Sequence, residues 1–196
     1  MPLLPLEPFI YPEDLLSPEK SGESASQPWW ALHTKPRTEK ALARSYHARS
    51  VPFFLPLSKH QWRNRGRLHC SFMPLFPGYI FVQGDRESIL PGLQARQVAR
   101  VLPVDDQGRL QADLARVYSL IATGSPLTAE ERLVPGSLVE IIAGPFAGLE
   151  GKVLRRGKQL KLFVEVQFIQ RGVSVEIENW MIEPRSESKL AVADAR

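Results

Sequence analysis

The segment Pro74-Leu75-Phe76-Pro77-Gly78-Tyr79-Ile80-Phe81-Val82 constrains this chain more than any other. Pro74 and Pro77 fix φ and remove backbone donors, so no helix passes through this stretch. Gly78 permits a positive φ or a close backbone approach, and a strand begins at Tyr79. Alternation sends Tyr79 and Phe81 to one sheet face and Ile80 and Val82 to the other. A strand that is apolar on both sides needs cover on both sides. That cover is either the protein's own core or a partner, and the segment alone leaves both open.

The surrounding residues place this strand in a domain. Trp29 to Thr34 is an aromatic, apolar run of strand length. Arg37 to Ala48 reads as an amphipathic helix, with Ala41, Leu42, Ser45 and Tyr46 on one face and Arg37, Lys40 and Arg44 off it. Val51 to Leu57 is strand-like, but its prolines make it an edge or a bent strand. A polar, basic loop from Lys59 to Arg67 leads through Leu68–Met73 to the strand at Tyr79. Glu87 to Leu93 suggests a short helix and Val98 to Val104 another strand, followed by turn signals at Asp105–Gly108. Gln111 to Ala122 is a helix with Leu114, Val117, Tyr118 and Ile121 on one stripe, closed by Gly124. Strands interleaved with helices over residues 29–122 predict one α/β sandwich.

Residues 1–28 hold six prolines and a Ser/Gly/Glu-rich stretch, and read as a flexible leader in which Phe9, Ile10 and Tyr11 are the residues able to dock. Residues 123–134 have the composition of a linker. Beyond them the pattern changes to short strands at Ser137–Ile142, Gly151–Arg155, Leu160–Phe168 and Val173–Ile177, separated by glycine turns. With no helical period, residues 135–184 predict a small β-barrel, followed by a flexible tail at 185–196.

Hydrophobic content of 43% and charged content of 23% fit a soluble globular protein, and no apolar run reaches the length of a membrane span. The proline-broken N-terminus lacks a basic n-region and makes a poor secretory signal, which with the single Cys70 points to a reducing, cytoplasmic setting. An enzyme is not indicated. His69 and Cys70 are adjacent and point to opposite strand faces, and Asp105 and Asp106 sit in a turn signal. The four histidines lack metal-ligand spacing, and Pro145 interrupts any phosphate-cradling run of N–H groups. No metal, cofactor or catalytic residue is expected.

Four motifs in order carry a resemblance: the Trp29-Trp30 strand, the basic amphipathic helix, Pro74–Val82, and Gly144-Pro-Phe-Ala-Gly-Leu-Glu-Gly-Lys-Val153. Together they resemble the NusG family of transcription elongation factors, and its specialised RfaH-like paralogues more than the housekeeping factor. The resemblance covers residues 29–184. It implies an α+β protein: an N-terminal sandwich built on an antiparallel sheet, then an SH3-like barrel carrying a KOW motif. It also implies a monomeric antitermination factor whose N-terminal domain offers an apolar cavity to the β′ clamp helices of RNA polymerase. Carried over, that cavity is lined by His33, Tyr79 and Phe81, with Val101 or Leu102 completing it. His33 departs from the family, where an aromatic or apolar residue is commoner. The barrel would recruit a small-subunit ribosomal protein or Rho, with Phe146 projecting as a contact. In the RfaH lineage this segment refolds as a helical hairpin on the N-terminal domain; here the Val/Ile/Phe-rich strands and glycine turns favour a barrel that tumbles independently.

Lys59, Arg63, Arg65 and Arg67 surround Trp62 in the densest basic stretch of the chain. Guanidinium groups beside one exposed aromatic suit phosphate contact and base stacking, although a solvated basic hairpin has the same composition. The resemblance places the corresponding hairpin near upstream DNA and the non-template strand. A KOW-bearing, ribosome-associated RNA-binding protein is the rival reading. It accounts for the barrel and the charge but not for the Trp29-to-Ile121 domain.

Overall fold

The computed structural model describes residues 8–17, 27–64, 66–130, 137–156, 159–178 and 181–184. A first antiparallel sheet has the order β1 (Ile10–Tyr11), β3 (Phe53–Phe54), β6 (Tyr79–Gln83), β2 (Trp29–Thr34) and β7 (Val98–Pro103). Helix α1 (Glu39–Ala48) covers one face and α3 (Gln107–Ala122) the other. The short α2 (Leu90–Gln94) packs beside α1. The fold is α+β.

Each sheet face carries a cluster of buried side chains. Leu32, Ile80, Val82 and Phe53 pack with Leu42, Ala43 and Tyr46 of α1. Trp29, Ala31, Phe54 and Phe81 pack with Leu110, Leu114, Val117 and Leu120 of α3. Each fully buried side chain of this size stabilises the fold by about 1.5–3 kcal/mol. The buried stripe of α1 is Glu39, Leu42, Ala43 and Tyr46 rather than the expected Ala41, Leu42, Ser45 and Tyr46. Glu39 tolerates burial because its Oε1 accepts the Gly78 N–H at 2.9 Å. Helix α3 starts at Gln107, not Gln111, because Asp106 accepts the Arg109 N–H at 2.9 Å and caps it.

Part of the leader is ordered, contrary to expectation. Strand β1 pairs with β3, and the Leu55 N–H donates to the Phe9 carbonyl at 2.6 Å. Leu15 and Leu16 are buried in the α3-side core. Five apolar side chains, Phe9 to Leu16, supply the burial that offsets the cost of ordering.

The basic stretch is not a loop. Strands β4 (Leu57–Asn64) and β5 (Arg67–Pro74) form a two-stranded hairpin, turned at Gly66 with φ +77°. The second sheet has the order β13 (Ile182–Pro184), β9 (Ser137–Ile141), β10 (Glu150–Arg156), β11 (Gln159–Val166), β12 (Arg171–Ile177) and β8 (Thr128–Glu130). It wraps a core of Val139, Ile141, Leu162, Val164, Val166, Val173, Val175 and Ile177. Gly172 has a packing reason. A Cβ there would lie 2.7 Å from the Val164 carbonyl oxygen, inside the space of the neighbouring strand.

Two expectations about the connection change. Residues 128–130, inside the expected linker, form β8 and pair with β12 of the barrel. Nor does the barrel stand apart. Asp113 of α3 accepts the Gln167 N–H at 3.0 Å, and the apolar core is continuous from α3 into β11. Residues 131–136 and the tail at 185–196 lie outside the described residues.

Candidate functional site

The antiparallel register brings the expected residues together at the Gly78 end of β6. His33 of β2 sits opposite Tyr79 of β6 and Arg100 of β7; Ala31 sits opposite Phe81 and Leu102. His33, Tyr79, Phe81 and Leu102 therefore share the face that α3 covers at its other end. Their exposures differ. Phe81 is fully buried, while His33, Tyr79 and Leu102 are half-buried. The His33 and Tyr79 rings meet edge to face, 5.2 Å between centroids at 72°.

Val101 belongs to the other face. It pairs with Leu32 and packs against the α1-side core, so it cannot join Tyr79. Of the two candidates on β7, Leu102 is the one on the shared face. Phe81 likewise lies beneath the surface, because α3 and β3 cover it.

Gly78 fixes the entrance. It holds φ +84°, and a Cβ there would stand 3.4 Å from His33 Nε2. The turn thus packs directly on the imidazole, with Glu39 holding its N–H from the α1 side.

A residue that sequence reasoning missed completes this corner. Arg171, at the start of β12, places its guanidinium 5.1 Å from the Tyr79 ring centroid and donates to the Pro77 carbonyl at 3.2 Å. No local sequence pattern marks a contact across 94 positions.

Asp113 makes a further contact between the domains. Burial pushes its carboxyl pKa up, opposed by the Gln167 N–H and by Arg116, whose guanidinium lies 2.5 Å away. A carboxyl raised above its unfolded value costs stability when ionised. Its linked contribution is most favourable at acid pH and declines as pH rises through the folded value.

The β4–β5 hairpin separates its chemistry by face. Alternation puts Lys59, Gln61 and Arg63 on one side, and His60 and Trp62 on the other with His69 and Arg67. Trp62 is 41% exposed and stacks on His69, 5.4 Å between centroids at 17°; His60 lies 5.5 Å away on its other flank along the strand. Lys59, Arg63 and Arg67 are partly or fully exposed, and Arg65 lies outside the described residues.

Phe146 does not project. It is 4% exposed, because the Gly144–Leu149 loop folds back through bonds from Ala147 to Gly144 and from Gly148 to Ile141. Positive φ at Gly144 and Gly148 permits that path and carries the ring into the barrel core. The large apolar side chains the described barrel exposes are Leu138 and Ile142.

Among the described residues, no group of three or more His, Cys, Asp or Glu side chains could hold a metal, and no helix is long and apolar enough to cross a membrane.

Residues 27–132 match the family model described as transcription termination factor nusG, and residues 135–164 match the KOW motif. Two solved structures are similar in outline. One is titled "Domain interaction in Thermotoga maritima NusG", at 19% identity and TM-score 0.46, covering 83% of this chain and 99% of that one. The other is an MjSpt4:Spt5 complex, at 19% identity and TM-score 0.28, covering 81% and 97%. A comparison with curated proteins gave no match. The family model spans more than half of the chain, and its fold and motif order agree with the two domains described: the protein belongs to the NusG family of transcription elongation factors.

Proposed function

We propose that this chain is an antitermination factor of the specialised, RfaH-like kind. Its N-terminal domain, residues 29–122, would bind the β′ clamp helices of RNA polymerase through His33, Tyr79 and Leu102, with Phe81 as the floor beneath them. Its barrel, residues 135–184, would recruit a small-subunit ribosomal protein or Rho, using Leu138 and Ile142 in place of the buried Phe146. The observation that carries the first assignment is the half-buried His33–Tyr79 pair, met edge to face on the α3 side of the sheet, with Arg171 of the barrel over the Tyr79 ring. Apolar rings at a partly open corner suit a helical partner. The ribosome-associated alternative loses ground because the family match extends over the whole N-terminal domain.

This reading makes the two domains competitors. Arg171 occupies the ring face that a clamp helix would need, so binding requires the barrel to move. Affinity is then reduced by the fraction of molecules that are open. Arg171→Ala removes a cation–π contact of about 1 kcal/mol and is expected to tighten polymerase binding about fivefold. Titration of polymerase with fluorescently labelled full-length protein checks this. Unchanged or weaker binding by the variant counts against competition.

A further inference from the structure

We infer that the outer edge of β3, with the apolar troughs on either side of it, is a docking site for an extended apolar segment, and that residues 8–17 are its occupant in cis. A protein presenting a segment of the same chemistry docks there by displacing this leader. The family match begins at residue 27, so residues 8–17 are an addition to the matched domain. They join it as a ligand joins a sheet edge. Ile10 and Tyr11 pair with Phe54 and Phe53, and the Leu55 N–H donates to the Phe9 carbonyl at 2.6 Å. Main-chain bonds of this kind hold any extended segment, and the side chains beside them select which one.

The selecting contacts fall on both faces of the sheet. Ile10 shares the Phe54 face and is buried with the α3-side core. Tyr11 shares the Phe53 face and meets the His47 ring of α1 edge to face, 5.4 Å between centroids. Beyond Pro12 the chain turns, the Leu15 N–H donating to the Pro12 carbonyl at 3.0 Å, and Leu15 and Leu16 enter the α3-side core. The Tyr118 hydroxyl of α3 donates to the Glu13 carbonyl at 3.4 Å. The segment that fits is therefore an aliphatic–aromatic pair, a proline turn and two adjacent leucines.

The seam marks the leader as a fitted piece rather than part of the core. A cleft of about 330 Å³ lies between Pro12 and Leu15 of the leader and Pro52, Gln83 and Gly84 of the domain body. Protein interiors hold few voids larger than a water molecule. Residues 18–26 tie the leader to the rest of the domain, and a tether this short sets an effective concentration on the order of millimolar. A competing segment works against that concentration, so the intact chain presents the site in guarded form.

The test uses the full-length chain with a protease recognition sequence inserted between Gly22 and Glu23, folded first and cut afterwards. The probe is a fluorescently labelled peptide of residues 8–17. After cutting, the peptide should exchange with the severed leader and bind. The uncut protein should bind it at least about tenfold more weakly, because the tethered leader competes. A peptide carrying Leu15→Ala and Leu16→Ala should lose at least about tenfold on the cut protein, since two buried side chains are truncated. Benzophenone in place of Tyr11 in the peptide should crosslink to α1 near His47. Equal binding to cut and uncut protein, or crosslinks away from α1 and β3, would place the peptide elsewhere and overturn the inference. So would failure of the cut, still folded protein to take up the peptide. Loss of the native circular dichroism on cutting would make the leader part of the domain core rather than the occupant of a site, and the inference would fall with it.

Discussion

Tyr79→Ala is expected to weaken binding to RNA polymerase about thirtyfold while the melting temperature of the full-length chain moves by only a few degrees. A well-packed interface aromatic commonly contributes about 2 kcal/mol or more, which is the affinity ratio stated. The small stability cost follows from position. Tyr79 is half-buried at the margin of the core, and its ring meets His33 edge to face and the guanidinium of Arg171, each worth about 1 kcal/mol. Because the same truncation loosens the Arg171 contact, part of the loss is masked by easier opening. Repeating it on an Arg171→Ala background removes that compensation and should enlarge the deficit. Wild-type affinity of Tyr79→Ala in both backgrounds would exclude this corner as the contact.

Phe81→Ala should behave in the opposite way, as a stability variant. The ring is fully buried between Ala31, Phe54 and the α3 stripe, so its removal leaves a cavity costing about 3–5 kcal/mol. For a chain of this length that corresponds to a fall in melting temperature of roughly 10 °C. Urea unfolding should shift its midpoint without a change in slope. Phe81→Leu should recover most of the loss, because it conserves much of the buried volume. A near-normal midpoint for Phe81→Ala would mean that the ring is not the floor of the sheet.

The contrast between these neighbours explains what the sequence could and could not disclose. Period-two alternation put Tyr79 and Phe81 on one face, and the register confirms it. Alternation says nothing about how far the cover over a face extends, so it cannot tell a buried Phe81 from a half-buried Tyr79. Val101 and Leu102 illustrate the same limit. Adjacent residues point to opposite faces, and only pairing with β2 decides that Leu102 joins His33. The helices were legible because their apolar stripes repeat. Their starts were not, because Asp106 looks the same in a turn as in a cap.

Longer-range features left weaker traces. Nothing local to Arg171 or Gln167 announces partners on Tyr79 and Asp113, so domain closure was invisible in a composition that reads as a tether. Phe146 sits among glycines that suit an exposed loop equally well. Its inward path depends on the backbone bonds that fold Gly148 onto Ile141. The Trp62–His69 stack was within reach. Once Gly66 is taken as the hairpin turn, the pairing of position 62 with 69 follows by counting.

Site-specific photocrosslinking tests the central claim most directly. A benzophenone side chain is introduced separately at Tyr79, at Lys40 on α1 and at Ile142 on the barrel, in the full-length Arg171→Ala protein, and the protein is bound to transcribing polymerase. Position 79 should crosslink to the β′ clamp helices, and positions 40 and 142 should not. Crosslinks to β′ from position 40 or 142, with none from 79, would contradict the assignment of this sheet face as the polymerase contact.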